Sequence, residues 1–146
     1  MGYILRLVVS LLVSLYLVSP VFASNSDYFS PEVVQGAKTI SLQEAKVLFD
    51  AGQVFVDVRN PRLFNRKHLP GSYHLDLKNG FDEAALTLIA KKDQPVVIYS
   101  SSVHCSRAYR AVALAVSWGF TKVLYFRGGI IDWKKATYPF KYAEGN

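Results

Sequence analysis

Apolar and polar positions along this chain switch between a helical and a strand period, and the elements fall where the period changes. Leu42, Ala45, Leu48 and Phe49 recur at helical spacing behind Ser41-x-x-Glu44, which has the form of a capping box, and Gly52 stops the run; this predicts a first helix. Val54 to Val58 is a short β-branched run, nearly all apolar, as a strand covered on both faces requires, and its polar end is Asp57-Val58-Arg59. Pro61 opens a short helix through Leu63 and Phe64, His68-Leu69-Pro70-Gly71 forces a turn, and Ser72 to Leu77 is expected as another short strand. Glu83 to Lys92 is expected as a helix buried through Ala84, Leu86, Leu88 and Ile89, followed by a second buried strand, Val96 to Tyr99. After the loop from Ser100 to Ser106, residues 107–118 are so rich in Ala, Val and Leu that a helix covered on most sides is expected, ended by Gly119. Lys122 to Phe126 makes a third strand, Gly128-Gly129 a tight turn, and Ile130 to Ala136 a last helix carrying Trp133. Strands alternating with helices over short connections predict an α/β fold, a mostly parallel sheet with helices on both faces. Ligands of such sheets bind beyond the carboxyl ends of the strands, where the loop after Tyr99 and the end of the Asp57 strand lie.

The N-terminus changes the picture of where the domain works. Arg6, the apolar run from Leu7 to Val18, Pro20 and then Val21-Phe22-Ala23 have the order of a secretory signal peptide cut before Ser24. The run meets Pro20 too early for a spanning helix of roughly 20 residues. The expected organisation is a signal peptide at 1–23, a mobile lead-in at 24–37, one domain at 38–140 and a tail at 141–146, with a periplasmic or secreted location and membrane contact only during export. Removing residues 1–23 from the 146 takes away one basic residue, so 16 Lys and Arg face 11 Asp and Glu. This mild excess suits a small anionic substrate, an acidic protein or no partner. The cations are scattered and no nucleic-acid motif occurs, so nucleic acid is not expected.

Cys105 is the single cysteine. In an oxidising compartment a lone thiol is either buried and inert or put to use. It stands near the expected start of a helix, with His104 before it and Arg107 and Arg110 after it, a setting that favours a thiolate. His104 and Cys105 alone do not make a zinc site, so no metal is expected.

Several separated motifs resemble the rhodanese-like family, over roughly residues 38–140. Asp57-Val58-Arg59-Asn60-Pro61 followed by His68-Leu69-Pro70-Gly71 is similar to the family's Asp-Val-Arg to Gly-His-Ile-Pro-Gly segment, with Lys67 in place of the first glycine. Gly128-Gly129 and Trp133 resemble its closing Gly-Gly and tryptophan. The resemblance implies a rhodanese-like three-layer domain and, for its active members, a cysteine thiolate that takes a sulfane sulfur from a small anionic donor, holds it as a persulfide and passes it to a thiol acceptor, small or protein, without a cofactor. It also implies that the nucleophile directly follows the strand, and here that residue is Ser100, which cannot carry a persulfide. The loop is about two residues longer than the common six-residue form and lacks glycine; it looks more like a subgroup with two cysteines five apart, of which Cys105 keeps the second.

Three readings of Cys105 stay open on these grounds. It acts as the sulfur acceptor, with Arg59, Ser100, His104 and Arg107 as substrate-binding residues; or the domain is a catalytically silent binding module; or Cys105 to Arg110 serves another oxyanion chemistry, in the manner of arsenate reductases and dual-specificity phosphatases. Counting back from Gly119, Arg107 fits the loop arginine better than Arg110. Arg59 either lines the pocket or pairs with Asp57 to fix the strand edge. His68 is expected to stabilise its turn, and Trp118 and Trp133 to lie in the core.

Overall fold

A computed structural model describes residues 28–142. The signal peptide expected at 1–23, the first residues of the lead-in and the end of the tail lie outside the described residues. Five parallel strands form one sheet in the order β1-β5-β4-β2-β3: β1 (Ala37–Thr39), β2 (Val54–Asp57), β3 (Tyr73–His74), β4 (Val96–Tyr99) and β5 (Val123–Phe126). The helices between and after them are α1 (Leu42–Asp50), α2 (Pro61–Arg66), α3 (Glu83–Ile89), α4 (Arg107–Ser117) and α5 (Gly129–Lys135).

The two-residue period of the central strands sorts the core into two halves. Val56, Val96, Ile98, Val123 and Tyr125 meet α3 and α4 through Leu86, Ala108, Ala111, Val112 and Ala115. Phe55, Val97, Tyr99 and Phe126 meet α1 and α5 through Ala45, Ile130 and Trp133. Both faces of the sheet are therefore dry, which is why these strands tolerate no polar position before their ends. Trp133 is wholly buried, edge-on to Phe49, Phe55, Phe126 and Tyr138, and its indole N–H donates to the Pro139 carbonyl at 2.9 Å. The capping box forms as expected: Ser41 N–H donates to Glu44 at 2.8 Å and Glu44 N–H to the Ser41 hydroxyl at 3.1 Å.

Four expectations are corrected. The edge strand β1 begins at Ala37, inside the expected lead-in, because its backbone completes the ladder of β5. Helix α3 buries Leu86 but leaves Ala84 exposed and Leu88 90 % exposed, since a helix of 7 residues has one inward stripe, and its four apolar residues cannot all share it. Helix α4 is amphipathic: Ala113, Leu114 and Ser117 face outward. The strand expected over Ser72–Leu77 pairs only at Tyr73–His74, at the sheet edge, where Leu75 and Leu77 N–H groups bond to the Asp57 and Val58 carbonyls instead.

Candidate active site around the loop after strand 4

The carboxyl ends of β2 and β4 lie side by side, and the segments leaving these two strands build the site. At the end of β2, Asp57 is fully buried and Arg59 is 3 % exposed. Arg59 Nε donates to both Asp57 oxygens at 2.9 and 3.0 Å and Nη2 to one of them at 2.6 Å. Nη2 also donates to the Lys67 carbonyl at 2.8 Å, and His74 Nε2 donates to the Arg59 carbonyl. Arg59, expected either to line the pocket or to fix the strand edge, has its charge matched inside the protein and locks the strand edge to the start of the turn. That turn is fixed further by His68, whose Nδ1 donates to the Phe64 carbonyl while its ring stacks on Phe64 at 3.8 Å. Leu69, at the turn's centre, is buried and donates its N–H to the Tyr99 hydroxyl. Burial and the Asp57 charge push that phenol well above its ordinary range, so it stays neutral and serves as a structural link.

At the end of β4, Ser100 is 1 % exposed and its hydroxyl has no hydrogen-bond partner among the described residues. The Ser100 and Ser101 carbonyls accept the Ile130 and Ile131 N–H groups, each at 3.0 Å, so the loop is bolted to the start of α5. This close approach explains the glycine pair: Gly129 has φ +60° and a Cβ there would strike the Ser100 carbonyl. Ser100 is thus withdrawn from solvent, against the expectation that it binds substrate. Because its hydroxyl gains nothing from burial, Ser100→Ala is expected to cost less than about 1 kcal/mol or to stabilise; urea denaturation checks this, and a loss above about 2 kcal/mol would show a partner for the hydroxyl.

The rest of the loop turns toward the opposite face of the sheet. Cys105 is half-buried, and its N–H donates to the Ser102 carbonyl at 3.0 Å. Burial is the largest cause that raises the Tyr28 and Tyr125 phenols, and Cys105 is a lesser contributor to both rises. Ser106, at the cap of α4, has helical backbone angles and makes no side-chain capping bond, so the leading N–H groups of α4 are free of it. His104 is exposed on its loop, but its Nδ1 donates to the Tyr28 carbonyl at 2.9 Å and its ring lies 4.6 Å from Phe29. Its neutral form therefore keeps Nε2 as an acceptor. Arg107 opens α4 and its Nη1 donates to Asp76 at 2.6 Å and to the Val58 carbonyl at 3.1 Å. Arg107, expected to bind substrate, is thus ion-paired, while Arg110, one turn on, stays exposed and has no ion-pair partner among the described residues.

Two groups escaped the sequence reading. Asp76 was hidden within an apolar strand, where a lone carboxylate between Leu75 and Leu77 is itself the signal of a buried partner. Burial alone would raise it, but the Arg107 hydrogen bond, the Lys78 N–H and the Arg107 charge outweigh burial and hold it below its usual value. The pair therefore contributes stability above about pH 4 that disappears as the pH falls through the lowered value. Urea midpoints of the native protein and Asp76→Asn are expected to differ at pH 7 and to converge only as the pH falls through the lowered Asp76 value. The second is the strap from Tyr28 to Ser30. Ser30 N–H donates to the Val103 carbonyl at 2.7 Å, its carbonyl accepts two bonds from Arg127, and its hydroxyl meets that of Tyr125. Nothing periodic marks these residues; only the fold brings them onto the cysteine loop.

Residues 41–136 match the sequence pattern of the Rhodanese-like domain. The chain belongs to the rhodanese-like family. It is 35 % identical over 109 residues to a protein of Pseudomonas fluorescens named thiosulfate sulfurtransferase GlpE, covering 75 % of this chain and 94 % of that one, and equally similar to its namesake from Ectopseudomonas mendocina. Among solved structures, the rhodanese-like domain of an Anabaena protein superposes with a TM-score of 0.61 at 22 % identity, covering 77 % of this chain and 84 % of that one. The polysulfide-sulfur transferase homodimer from Wolinella succinogenes superposes at 0.60 with 20 % identity, covering 76 % and 82 %. These two likenesses show a shared fold. The domain described here has the buried Asp57–Arg59 lock and the Gly-Gly bolt, and it carries Ser100 where the resemblance gives a thiol.

Proposed function

We propose that this chain is an exported single-domain sulfurtransferase or persulfide carrier in which Cys105 has taken over the nucleophile's task. The observation that carries the reading is the place of the chain's single thiol: in the loop beyond β4, two residues before the start of α4, whose first N–H groups receive no side-chain cap. Such a setting favours an anion, whether a thiolate or the oxygens of a donor. The Cys105 thiolate attacks the outer sulfur of a thiosulfate-class donor; the donor S–S bond breaks and sulfite leaves with the bonding pair. An acceptor thiolate then attacks the terminal sulfur of the persulfide, and Cys105 departs as a thiolate. Arg110, exposed beside the loop, is the group available to meet the donor's charge. The relatives named as thiosulfate sulfurtransferases support the donor class, and the N-terminal signal supports export.

A second reading, a catalytically silent binding module, is favoured by one set of facts: Ser100 is sealed, and Arg59 and Arg107 are both engaged by carboxylates. Intact-mass spectrometry after incubation with thiosulfate or a polysulfide separates the two. A dithiothreitol-sensitive gain of one sulfur atom, kept in Ser100→Ala and absent in Cys105→Ser, is the expected result. No gain in the native protein, together with a thiol that resists alkylation, would remove sulfur transfer and leave the binding module.

A further inference from the structure

Two hollows adjoin on the outer face of α4 and share Arg110 as a common border. The first, about 520 Å³, lies between the start of the helix and the segment after β3, with Lys78 on one bank and Ser106 and Arg107 on the other. The second, about 400 Å³, follows the helix onward past Ala113 and Leu114 to Ser117. The chemistry changes along this face. Toward the cysteine loop it is cationic: Lys78 and Arg110 are exposed, and neither enters any of the six ion pairs of the described residues, whereas Arg107 is engaged by Asp76. One turn further it is apolar, with Leu114 40 % exposed and Ala113 exposed beside it. Among the described residues no carboxylate borders either hollow, and α4 carries none.

Stability of the fold accounts for neither feature. The first turn of a helix favours acidic side chains and disfavours cations, yet Arg110 stands there without a counter-charge. Ser106, Arg110, Ala113, Leu114 and Ser117 recur at helical spacing, so they form one stripe with its cation at the cysteine end and its apolar part beyond. We propose that this stripe is the docking surface for an acidic segment of a partner protein, bound extended along α4 with carboxylates at Lys78 and Arg110 and an apolar side chain against Ala113 and Leu114. Length selects a polypeptide: Ser106 to Ser117 covers about 16 Å at the helical rise, which about five extended residues span and a small anion does not. Ser106 follows Cys105 directly, so a partner seated here lies beside the thiol. The proposal does not rest on sulfur transfer, because a carrier must meet its acceptor and a silent module its partner, and one face serves either. In a carrier, Arg110 is open to the partner once sulfite has left.

The test is fluorescence anisotropy of the mature protein, without a sulfur donor, with a labelled nonamer that carries glutamates at one end and leucines at the other, made in both chain directions. One direction is expected to bind, more weakly as salt is added. Exchanging its glutamates for lysines should abolish binding, and exchanging its leucines for serines should weaken it roughly tenfold. Lys78→Glu and Arg110→Glu should each weaken it roughly tenfold, since each replaces an attraction by a like charge. Leu114→Ser should do the same through the apolar contact. All three side chains are exposed, so the variants keep the fold. Lys134→Glu changes the net charge equally but lies on α5, across the sheet, and should leave binding unchanged. Sulfur loading of Cys105 is read separately by mass, so its failure leaves this result standing. Three outcomes would overturn the proposal: no peptide binding up to about 1 mM, equal losses in Lys134→Glu and Arg110→Glu, or sedimentation with vesicles of phosphatidylserine and phosphatidylcholine in place of peptide binding.

Discussion

Replacing Arg59 by methionine is expected to destabilise the domain by about 3–5 kcal/mol, because it leaves the Asp57 carboxylate buried without its counter-charge. Asp57 is fully out of water, and Arg59 contacts both of its oxygens through Nε and one through Nη2. The substitution also removes the donor to the Lys67 carbonyl, loosening the turn that seats Leu69 under Tyr99. Against a total stability of about 5–15 kcal/mol, the loss is a third or more for most values in that range. Urea denaturation measures it, and an unchanged midpoint would show that the pair is dispensable. Changing both partners, Asp57→Leu with Arg59→Met, is expected to recover much of the loss, since a buried pair costs desolvation that an apolar pair avoids. That rescue distinguishes a stranded charge from lost packing.

The double variant Arg127→Met with Tyr125→Phe is expected to raise the alkylation rate of Cys105 at least tenfold while leaving the core in place. Arg127 donates two bonds to the Ser30 carbonyl and Tyr125 shares a hydrogen bond with the Ser30 hydroxyl, so the variant removes three of the strap's anchors. At about 1 kcal/mol net for each bond, the strap opens roughly a hundredfold more often, and a half-buried thiol reacts in the open state. The strap is tied to the cysteine loop itself by Ser30 N–H on the Val103 carbonyl and by His104 on the Tyr28 carbonyl. Alkylation with a neutral reagent, followed by mass spectrometry, reads the rate; equal rates would mean that the strap does not cover the thiol. Sulfur uptake by Cys105 should rise in parallel if access limits it.

The interior of the sheet was legible from three short, nearly continuous apolar runs, because a strand dry on both faces admits only apolar side chains and leaves a dense signal. The capping box at Ser41 and Glu44 and the stop at Gly119 were legible for the same local reason: a helix end must satisfy its own backbone within a few residues. Edges were less legible. The three residues of β1 carry no pattern of their own and become a strand only because β5 offers them a ladder, and Leu88 reads as core although the short helix α3 turns it to solvent.

The site divides along the same line. Asp57, Arg59 and Cys105 stand out in the sequence as residue types placed at strand and helix ends, and their chemistry comes from their side chains. Which of them is free to act is a question of partners distant along the chain. Arg107 finds Asp76 31 residues away, His104 finds Tyr28 across 76 residues, and Arg127 finds Ser30 across 97. By itself the sequence determined an α/β domain with the motifs of the rhodanese-like family, a serine where a thiol is expected, and one cysteine in reserve. Tertiary structure alone decided that two of the arginines are spoken for, that the N-terminal strap lies on the cysteine loop, and that Arg110 is left without an ion-pair partner among the described residues, because charge pairing depends on distances that only the folded chain sets.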